Sequence, residues 1–227
     1  DVGFVSHAHS DHLARHGRIV CTAQTAALLD VWFDGNGPPC DEISYDQWRS
    51  CGDGRFRLLP SGHILGSAML HLATAAGSLL YAGDVSTWGS PTSPPARLVP
   101  ADLLIVEDTF GHLDSAFLDP RDAADRVVEL CLRARSVGRT PVLVTMSNCG
   151  KAQEAAAALC SAGLRPALQT KLGRFAEVYR AFGHLSGAYA KLAHGRRNDC
   201  DVAIVSNAYL EFQSGDLSAM VPDPMYV

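Results

Sequence analysis

Three imidazoles and one carboxylate stand within six consecutive positions near the start of the chain. Residues 7–12 read His-Ala-His-Ser-Asp-His and directly follow a short apolar run. Histidine nitrogen and carboxylate oxygen are common ligands of zinc and related divalent ions, and a tight loop at a strand end can aim several at one point. The pattern makes His7, His9, Asp11 and His12 candidate metal ligands. The alternative is that the histidines cap a helix starting near Leu13.

Two more candidate ligands lie downstream. His63 stands between two glycines in residues 62–67, Gly-His-Ile-Leu-Gly-Ser, and Asp84 ends the apolar run Leu-Leu-Tyr-Ala-Gly of residues 79–83. Taken alone, a histidine in such a place is more often structural, and a Gly-Asp pair usually marks a turn. Their significance depends on the first motif.

His-x-His-x-Asp-His after an apolar strand resembles the signature of the metallo-β-lactamase superfamily, and Gly-His-x-x-Gly-Ser around His63 resembles its next motif. At the position of Asp84 the family has an aspartate that bridges two metal ions. The resemblance implies two divalent ions, zinc first, with manganese or iron as alternatives because imidazole and carboxylate suit all three. It assigns one ion to His7, His9, His63 and Asp84, and a second to Asp11, His12 and Asp84. Such ions lower the pKa of a bound water and stabilise a displacement at phosphorus.

A further acidic motif points to a nuclease. Residues 106–111, Val-Glu-Asp-Thr-Phe-Gly, resemble the motif that opens the β-CASP cap in nucleases of the superfamily. Asp108 stands where a small hydroxyl residue is usual, so we assign the acidic role to Glu107, which would orient a metal-bound histidine or the phosphate site. The catalytic residues implied are Asp11, Asp84 and Glu107.

The second half of the chain also resembles that family. Residues 150–154, Gly-Lys-Ala-Gln-Glu, resemble a helix start of RNA-processing members, whose N-terminus could face phosphate. Residues 204–207 and 213–215 are loosely similar to a later loop. The resemblance places the family's first acidic motif before Asp1 and its later histidines beyond Val227; His184 and His194 do not match those motifs.

The elements that must position these residues follow from hydrophobic patterning. In the first half, short apolar runs predict strands at 18–21, 56–60, 68–73 and 78–82, a buried strand at 103–107, a helix over 22–33 and a proline-rich surface loop over 86–100. In the second half, helices at 122–135, 151–160 and 172–182 alternate with strands at 141–146 and 202–206, which indicates a parallel sheet. The predicted fold is α/β: part of a metallo-β-lactamase αββα sandwich at 1–112, and part of an inserted α/β β-CASP cap at 113–227.

Composition limits the class of protein. Of 227 residues, 47% are hydrophobic, which is enough for a substantial core, and no apolar stretch reaches the roughly 20 residues of a membrane span. The seven cysteines are scattered without a Cys-x-x-Cys pair, which favours reduced thiols and a cytoplasmic protein. Aromatic residues at 179, 182 and 189 favour packing over a base-stacking platform.

The charge is uneven along the chain. Residues 121–200 carry 13 basic against 6 acidic residues, whereas the remainder carries 6 against 18. A basic segment can attract a polyanion, and it can equally be a set of solvated helix faces.

These patterns predict a metal-dependent phosphodiester hydrolase, endo- or exonucleolytic, that acts on nucleic acid without a membrane partner, with RNA slightly favoured over DNA. One alternative is a small-molecule hydrolase that uses the same ions, for example on a thioester, and would show no salt-sensitive binding to nucleic acid. Another is a non-catalytic nucleic-acid-binding subunit, which would not need to keep six ligands. Oligomeric state does not follow from these patterns.

Overall fold

The chain divides into two compact units. The computed structural model describes residues 1–111, 116–192, 199–212 and 217–227, and the units are Asp1–Leu118 and Asp119–Val227. The sequence-based boundary near residue 112 falls just before this division. Within the described residues the strands form three sheets, so the chain is a mixed α/β protein.

The first unit holds two sheets. One has the order β1-β2-β3 and is parallel; the other has the order β4-β5-β6-β7-β8 and is antiparallel except where β8 pairs in parallel with β7. The elements are β1 (Val2–Phe4), β2 (Arg18–Cys21), α1 (Ala23–Trp32), β3 (Cys40–Glu42), β4 (Arg49–Cys51), β5 (Gly54–Pro60), β6 (Ala68–Thr74), β7 (Gly77–Tyr81) and β8 (Leu103–Ile105).

Both faces of the larger sheet bury apolar side chains. Leu58 and Leu59 are adjacent in β5 and fully buried, and because successive strand residues point to opposite faces they belong to different cores. Leu58 packs with Ile43 and with Phe4 of the parallel sheet. Leu59 packs with Met69, and the irregular segment 85–101 covers that side. The sheet is therefore a layer between two apolar cores, and the predicted loop at 86–100 is confirmed.

Helix α1 confirms the prediction for residues 22–33. Thr22 caps it, because its side chain accepts a hydrogen bond from Thr25 N at 3.1 Å. Leu28 and Leu29 are buried on its inner side. Burial of a leucine contributes about 1.5–3 kcal/mol, so these two side chains fasten the helix to the unit.

Strand β8 corrects one expectation. The run at 103–107 was predicted to be a buried strand; a strand is present, but Leu103, Leu104, Ile105 and Val106 are 56%, 53%, 45% and 51% exposed. The strand lies at the edge of its sheet, with β7 on one side. About half of each of these side chains is therefore in contact with solvent, which an edge position with a neighbouring strand on one side allows.

The second unit is a five-stranded parallel sheet with helices between its strands, as predicted from the alternating pattern. Its order is β11-β10-β12-β9-β13. The elements are α2 (Pro120–Ser136), β9 (Thr140–Thr145), α3 (Lys151–Ser161), β10 (Pro166–Leu168), α4 (Thr170–Ala181), β11 (Ala190–Lys191), β12 (Val202–Ser206), α5 (Asn207–Phe212), α6 (Leu217–Met220) and β13 (Pro224–Tyr226). Every residue of the central strand β12 is buried. In the described parts of the chain, no helix combines the length and apolar character needed to cross a bilayer.

Candidate metal centre

Four of the predicted ligands converge on one point in the first unit. The ligand atoms of His7, His9, His63 and Asp84 all lie within 4.8 Å of one another. His9 Nδ1 is 3.1 Å from His7 Nε2 and 3.1 Å from His63 Nε2. Asp84 Oδ2 is 3.6 Å from His7 Nε2 and 3.3 Å from His63 Nε2. Residues up to 77 positions apart in sequence thus form one donor cluster at the ends of β1, β5 and β7.

The second oxygen of Asp84 faces the rest of the predicted set. Asp84 Oδ1 is 3.2 Å from His12 Nε2, and Asp11 Oδ2 is 3.6 Å from the same nitrogen. One carboxylate therefore has one oxygen in each of two donor groups. The structure brings all six candidate residues together, and Glu107 lies close behind Asp84.

The donor geometry fits a divalent cation. Ligands at roughly 2.0–2.2 Å from a tetrahedral ion stand about 3.4 Å apart. The distances of 3.1 to 3.6 Å among His7, His9, His63 and Asp84 are of that size. Three imidazoles with one carboxylate suit zinc, and the more oxygen-rich set of Asp11, His12 and Asp84 suits zinc or a harder ion.

Ser6 orients the most buried of these imidazoles. Its Oγ is 3.1 Å from His7 Nδ1, and both side chains are buried. If the Nδ1–H donates to Ser6, the Nε2 lone pair points into the cluster, as a metal-binding histidine requires. Burial, with smaller contributions from the neighbouring His63, His9 and His12, lowers the pKa of His7 to about 2. His7 is thus a neutral ligand-ready imidazole across the physiological range.

The loop that carries His7 and His9 is held from the side by α1. The indole Nε1 of Trp32 donates a hydrogen bond to the carbonyl of Ala8, which lies between the two histidines. A 3-10 turn over Ser10–His12 follows, and it sets His12 back toward Asp84. The helix that might have begun near Leu13 does not form; Leu13 has an extended backbone.

The loop that carries His63 is tied at both glycines. Ser67 Oγ accepts hydrogen bonds from the backbone N–H groups of His63 and Ile64, each at 3.1 Å. Gly62 has φ +81°, and a Cβ there would stand 2.0 Å from a backbone oxygen. Gly66 has φ +76°, and its carbonyl accepts the Thr22 hydroxyl at 2.7 Å. The same threonine that caps α1 therefore also fixes this loop.

Glu107 acts on Asp84 through the main chain. One of its carboxylate oxygens, Oε1, accepts the N–H of Val85, the residue after Asp84, at 3.0 Å. The expected role of Glu107, to orient a metal-bound histidine or the phosphate site, stays a prediction; its hydrogen bond in the structure is to the backbone beside Asp84. Burial raises the pKa of Asp84; His12 opposes that rise and Glu107 adds to it. A cation next to Asp84 would offset this cost.

Sequence reasoning missed three supporting residues, namely Ser6, Trp32 and the hydroxyl of Ser67. A single serine or tryptophan near a predicted ligand does not form a recognisable sequence motif. The one available signal is that Ser6 directly precedes a predicted ligand and that Ser67 ends the glycine-flanked motif.

In the second unit, the motif at 150–154 starts α3 as predicted, but its polar side chains serve the fold. Gln153 is fully buried; its Oε1 accepts Gly150 N at 2.8 Å, and its Nε2 donates to the carbonyls of Asn148 and Leu172. Tyr179 is fully buried, which confirms a packing role. His184 follows α4 and belongs to the second unit, whereas the ion cluster belongs to the first. His194 and residues 213–215 lie outside the described residues.

The net positive charge of residues 121–200 is largely cancelled when the whole second unit is counted. From residue 119 to 227, 13 basic residues face 11 acidic ones. Arg135 pairs with Asp201, and Arg139 lies 3.6 Å from Asp223, so acidic residues beyond position 200 neutralise part of the segment. A strong positive field therefore does not follow from composition alone.

Several known proteins are similar to this chain. A probable DNA ligase of Opitutus terrae is 34% identical over 188 residues, which are 79% of this chain and 18% of that protein. An RNase J-like protein of Methanocaldococcus jannaschii is 31% identical over 134 residues, covering 49% of this chain and 32% of that protein. Endoribonuclease YSH1 of Eremothecium gossypii is 25% identical over 194 residues, covering 68% and 25%.

The chain therefore spans about a third or less of the length of these relatives. No family model matches it. A crystal structure of a protein of unknown function from Enterococcus faecalis V583 is similar in fold, with a TM-score of 0.60 at 14% identity over 99% of this chain and 57% of that one.

Proposed function

We propose that this chain, which belongs to the β-CASP group of the metallo-β-lactamase superfamily, is the ion-binding part of a nuclease that hydrolyses phosphodiesters in RNA. We assign residues 1–118 to the metallo-β-lactamase αββα sandwich and residues 119–227 to the β-CASP cap, each as a portion of a longer protein. Two divalent ions, zinc first, are the cofactors in this proposal.

The observation that most directly supports this proposal is the position of Asp84. Its Oδ2 faces His7 and His63, and its Oδ1 faces His12, so one carboxylate can serve two neighbouring ions. When bound, such ions supply Lewis acidity to the scissile phosphate and lower the pKa of a nearby water. The protein's own residues do the positioning: the three imidazoles and Asp84 define one ion position, and Asp11, His12 and Asp84 define the other.

RNA is the favoured substrate because two of the relatives are named an RNase J-like protein and an endoribonuclease. DNA is the second candidate, since the relative with the highest identity of the three is named a probable DNA ligase. A small-molecule ester hydrolase remains the competing enzyme class, because the same ions serve that chemistry.

The test is metal content of the purified intact protein together with cleavage of labelled single-stranded RNA and DNA, with and without chelator. About two metal ions per chain and cleavage that chelator abolishes are expected. Faster cleavage of RNA supports RNA as substrate, and faster cleavage of DNA transfers the assignment to DNA. Bound metal with hydrolysis of thioesters and of neither strand would reject the nuclease.

A further inference from the structure

A cationic aromatic cluster lies in the first unit, outside the ion cluster. It consists of Trp48, Arg55, Arg57 and His71, called here the Trp48 cluster. The Cζ atoms of Arg55 and Arg57 lie 4.4 and 4.8 Å from the centroid of the Trp48 ring. The rings of Trp48 and His71 are 5.4 Å apart, and Arg57 Nε donates to His71 Nδ1 at 3.2 Å.

Strand register explains why these side chains meet. Arg57 pairs with His71 across β5 and β6, and Arg49 pairs with Phe56 across β4 and β5. Trp48, one residue before Arg49, therefore stands beside Arg57, and Arg55 follows on the same face two residues away. Side chains from three neighbouring strand positions thus form one row across the sheet.

The cluster carries positive charge in a unit that is otherwise acidic. Residues 1–118 hold 6 arginines and 13 acidic residues. Three of those arginines gather here, because Arg57 and Arg97 both contact the carboxylate of Asp46 and Arg55 lies on the indole. Among the described residues, Arg55 forms no ion pair, and its side chain is exposed. Asp46 pairs with two of these three guanidinium groups, so the cluster keeps a local excess of positive charge.

Stacking on the indole leaves the N–H edge of Arg55 available to bind an anion, whereas Arg57 already contacts His71 and Asp46. A guanidinium that lies on an aromatic ring uses its flat face there, while its N–H donors in the plane can still bind phosphate oxygens in pairs. Burial and the charge of Arg57 lower the pKa of His71, so the cluster does not depend on a protonated histidine. The indole and the neutral imidazole therefore hold the arginines in place without neutralising them.

We propose that the Trp48 cluster is a second contact point for the nucleic-acid strand, at which Arg55 binds a backbone phosphate and Arg57 adds positive charge beside it. The proposal rests on the function proposed above. The six residue steps from Arg57 in β5 to His63, three residues beyond the end of that strand, span at most roughly 20 Å at about 3.3 Å per residue. Each strand of a duplex carries one phosphate per about 3.4 Å of helix axis, so that reach corresponds to several nucleotides. A long strand can touch both places, and a small diester can touch only the ions.

The experiment compares Arg55→Ala with Arg18→Ala in the intact metal-loaded protein. Arg18 is a matched control, because it is an exposed arginine on β2 whose loss changes the net charge equally. Affinity for a long labelled single strand with hydrolysis-resistant phosphorothioate linkages is measured by fluorescence anisotropy over a range of salt concentrations, so that Asp84 and the ion cluster stay intact. Hydrolysis of bis(4-nitrophenyl) phosphate and of an ordinary long strand is measured with the same proteins.

Arg55→Ala is expected to raise Kd roughly 3- to 10-fold at low salt, the size of one ordinary solvent-exposed hydrogen bond. It should also lower the slope of log K against log salt by about 0.7, the value of one phosphate contact on a single strand. The ratio of kcat/KM for the long strand to that for the small diester should fall, and Arg18→Ala should match the wild type in each respect.

Equal affinity, equal salt slope and an equal substrate ratio in wild type, Arg18→Ala and Arg55→Ala would overturn the inference, provided that the wild type hydrolyses both substrates. Failure of the wild type to hydrolyse either substrate would instead reject the proposed function. As an independent readout, binding of the strand should quench tryptophan fluorescence in the wild type, and Trp48→Phe should remove most of that change. Undiminished quenching in Trp48→Phe would also count against the inference.

Discussion

The two units use polar side chains at their strand ends in opposite ways. In the first unit, His7, His63 and Asp84 turn their ligand atoms toward one another at 3.3 to 3.6 Å. In the second, Gln169 Oε1 accepts both the backbone N–H and the hydroxyl of Ser206, and Gln153 is fully bonded to the main chain.

The difference separates groups kept for chemistry from groups kept for folding. A buried polar side chain that satisfies main-chain donors and acceptors stabilises the fold, and its loss leaves those partners unpaired. Several ligand atoms that face each other stabilise the fold little. Neutral imidazoles and a carboxylate hold few hydrogen-bond donors among them, so they form few hydrogen bonds with one another. Such an arrangement is what a cation-binding site requires, as the proposed function assumes. The comparison predicts that substitutions in the first unit change metal binding and activity, whereas substitutions in the second change stability.

The largest effect is expected from Asp84→Ala. Loss of the shared carboxylate should reduce phosphodiester cleavage by more than the roughly 10–100-fold that loss of an orienting partner costs. The metal bound per chain should fall, and the stabilisation that added zinc gives to the wild type in thermal unfolding should disappear. Asp30→Ala, an exposed acid on α1, is the charge-matched control. Cleavage at the wild-type rate by Asp84→Ala would remove the basis of the proposed mechanism.

Next in size is Gln153→Ala in the second unit. It deprives Gly150 N and the carbonyls of Asn148 and Leu172 of their partner, so the free energy of unfolding should fall by about 2–4 kcal/mol. Denaturant unfolding measures this, and metal content should stay at the wild-type value. Lys151→Ala, in the same helix and exposed, should change stability by no more than about 0.5 kcal/mol. A loss of bound metal in Gln153→Ala would contradict the division between the units.

Glu107 offers a finer test within the first unit. Glu107→Ala removes the acceptor of the Val85 N–H and should lower cleavage or metal affinity by about 10–100-fold. Glu107→Gln keeps an oxygen that can accept this bond and should restore most of the loss. Asp108→Ala reports on the neighbouring carboxylate and should match the wild type. If Glu107→Gln were as impaired as Glu107→Ala, the charge of Glu107 rather than its hydrogen bond would be the essential property.

The smallest effects compare one serine from each unit. Ser6→Ala removes the hydrogen bond to His7 and should weaken metal affinity by roughly tenfold, with little change in stability of the metal-free protein. Ser206→Ala removes a hydroxyl that bonds Gln169 and Tyr209 N, and should cost about 1–2 kcal/mol of stability with unchanged metal affinity. Competition with a chromophoric chelator and denaturant unfolding measure the two quantities. An exchange of these phenotypes would show that the comparison is wrong.

Much of the candidate site was predictable, for reasons that differ between residues. His7, His9, Asp11 and His12 are neighbours in sequence, so their proximity follows from the chain itself. His63 and Asp84 arrive on other strands, and only the resemblance to a family predicted that they join the cluster. Their assignment as ligands stays a prediction that metal analysis must test.

The supporting contacts were not predictable because they depend on tertiary structure. Ser6 orients His7 only because β1 ends where it does, and Trp32 reaches Ala8 only after α1 has packed. The strands Cys40–Glu42 and Arg49–Cys51 were missed because they are largely polar and form through main-chain pairing. The exposure of residues 103–106 was not predicted because an apolar run indicates that a strand can be buried. It does not show which other elements pack against that strand.

The open edge at β8 has a consequence for the ion cluster. Glu107 follows this strand by two residues and holds the N–H of Val85, beside Asp84. A strand from another segment or protein that pairs with β8 would restrict the motion of Glu107. The Asp84 side chain would then sample fewer positions. Because coupling between two binding events is reciprocal, the gain in ion affinity would equal the gain in affinity for that strand. Completion of the sheet and loading of the cluster would then be energetically coupled.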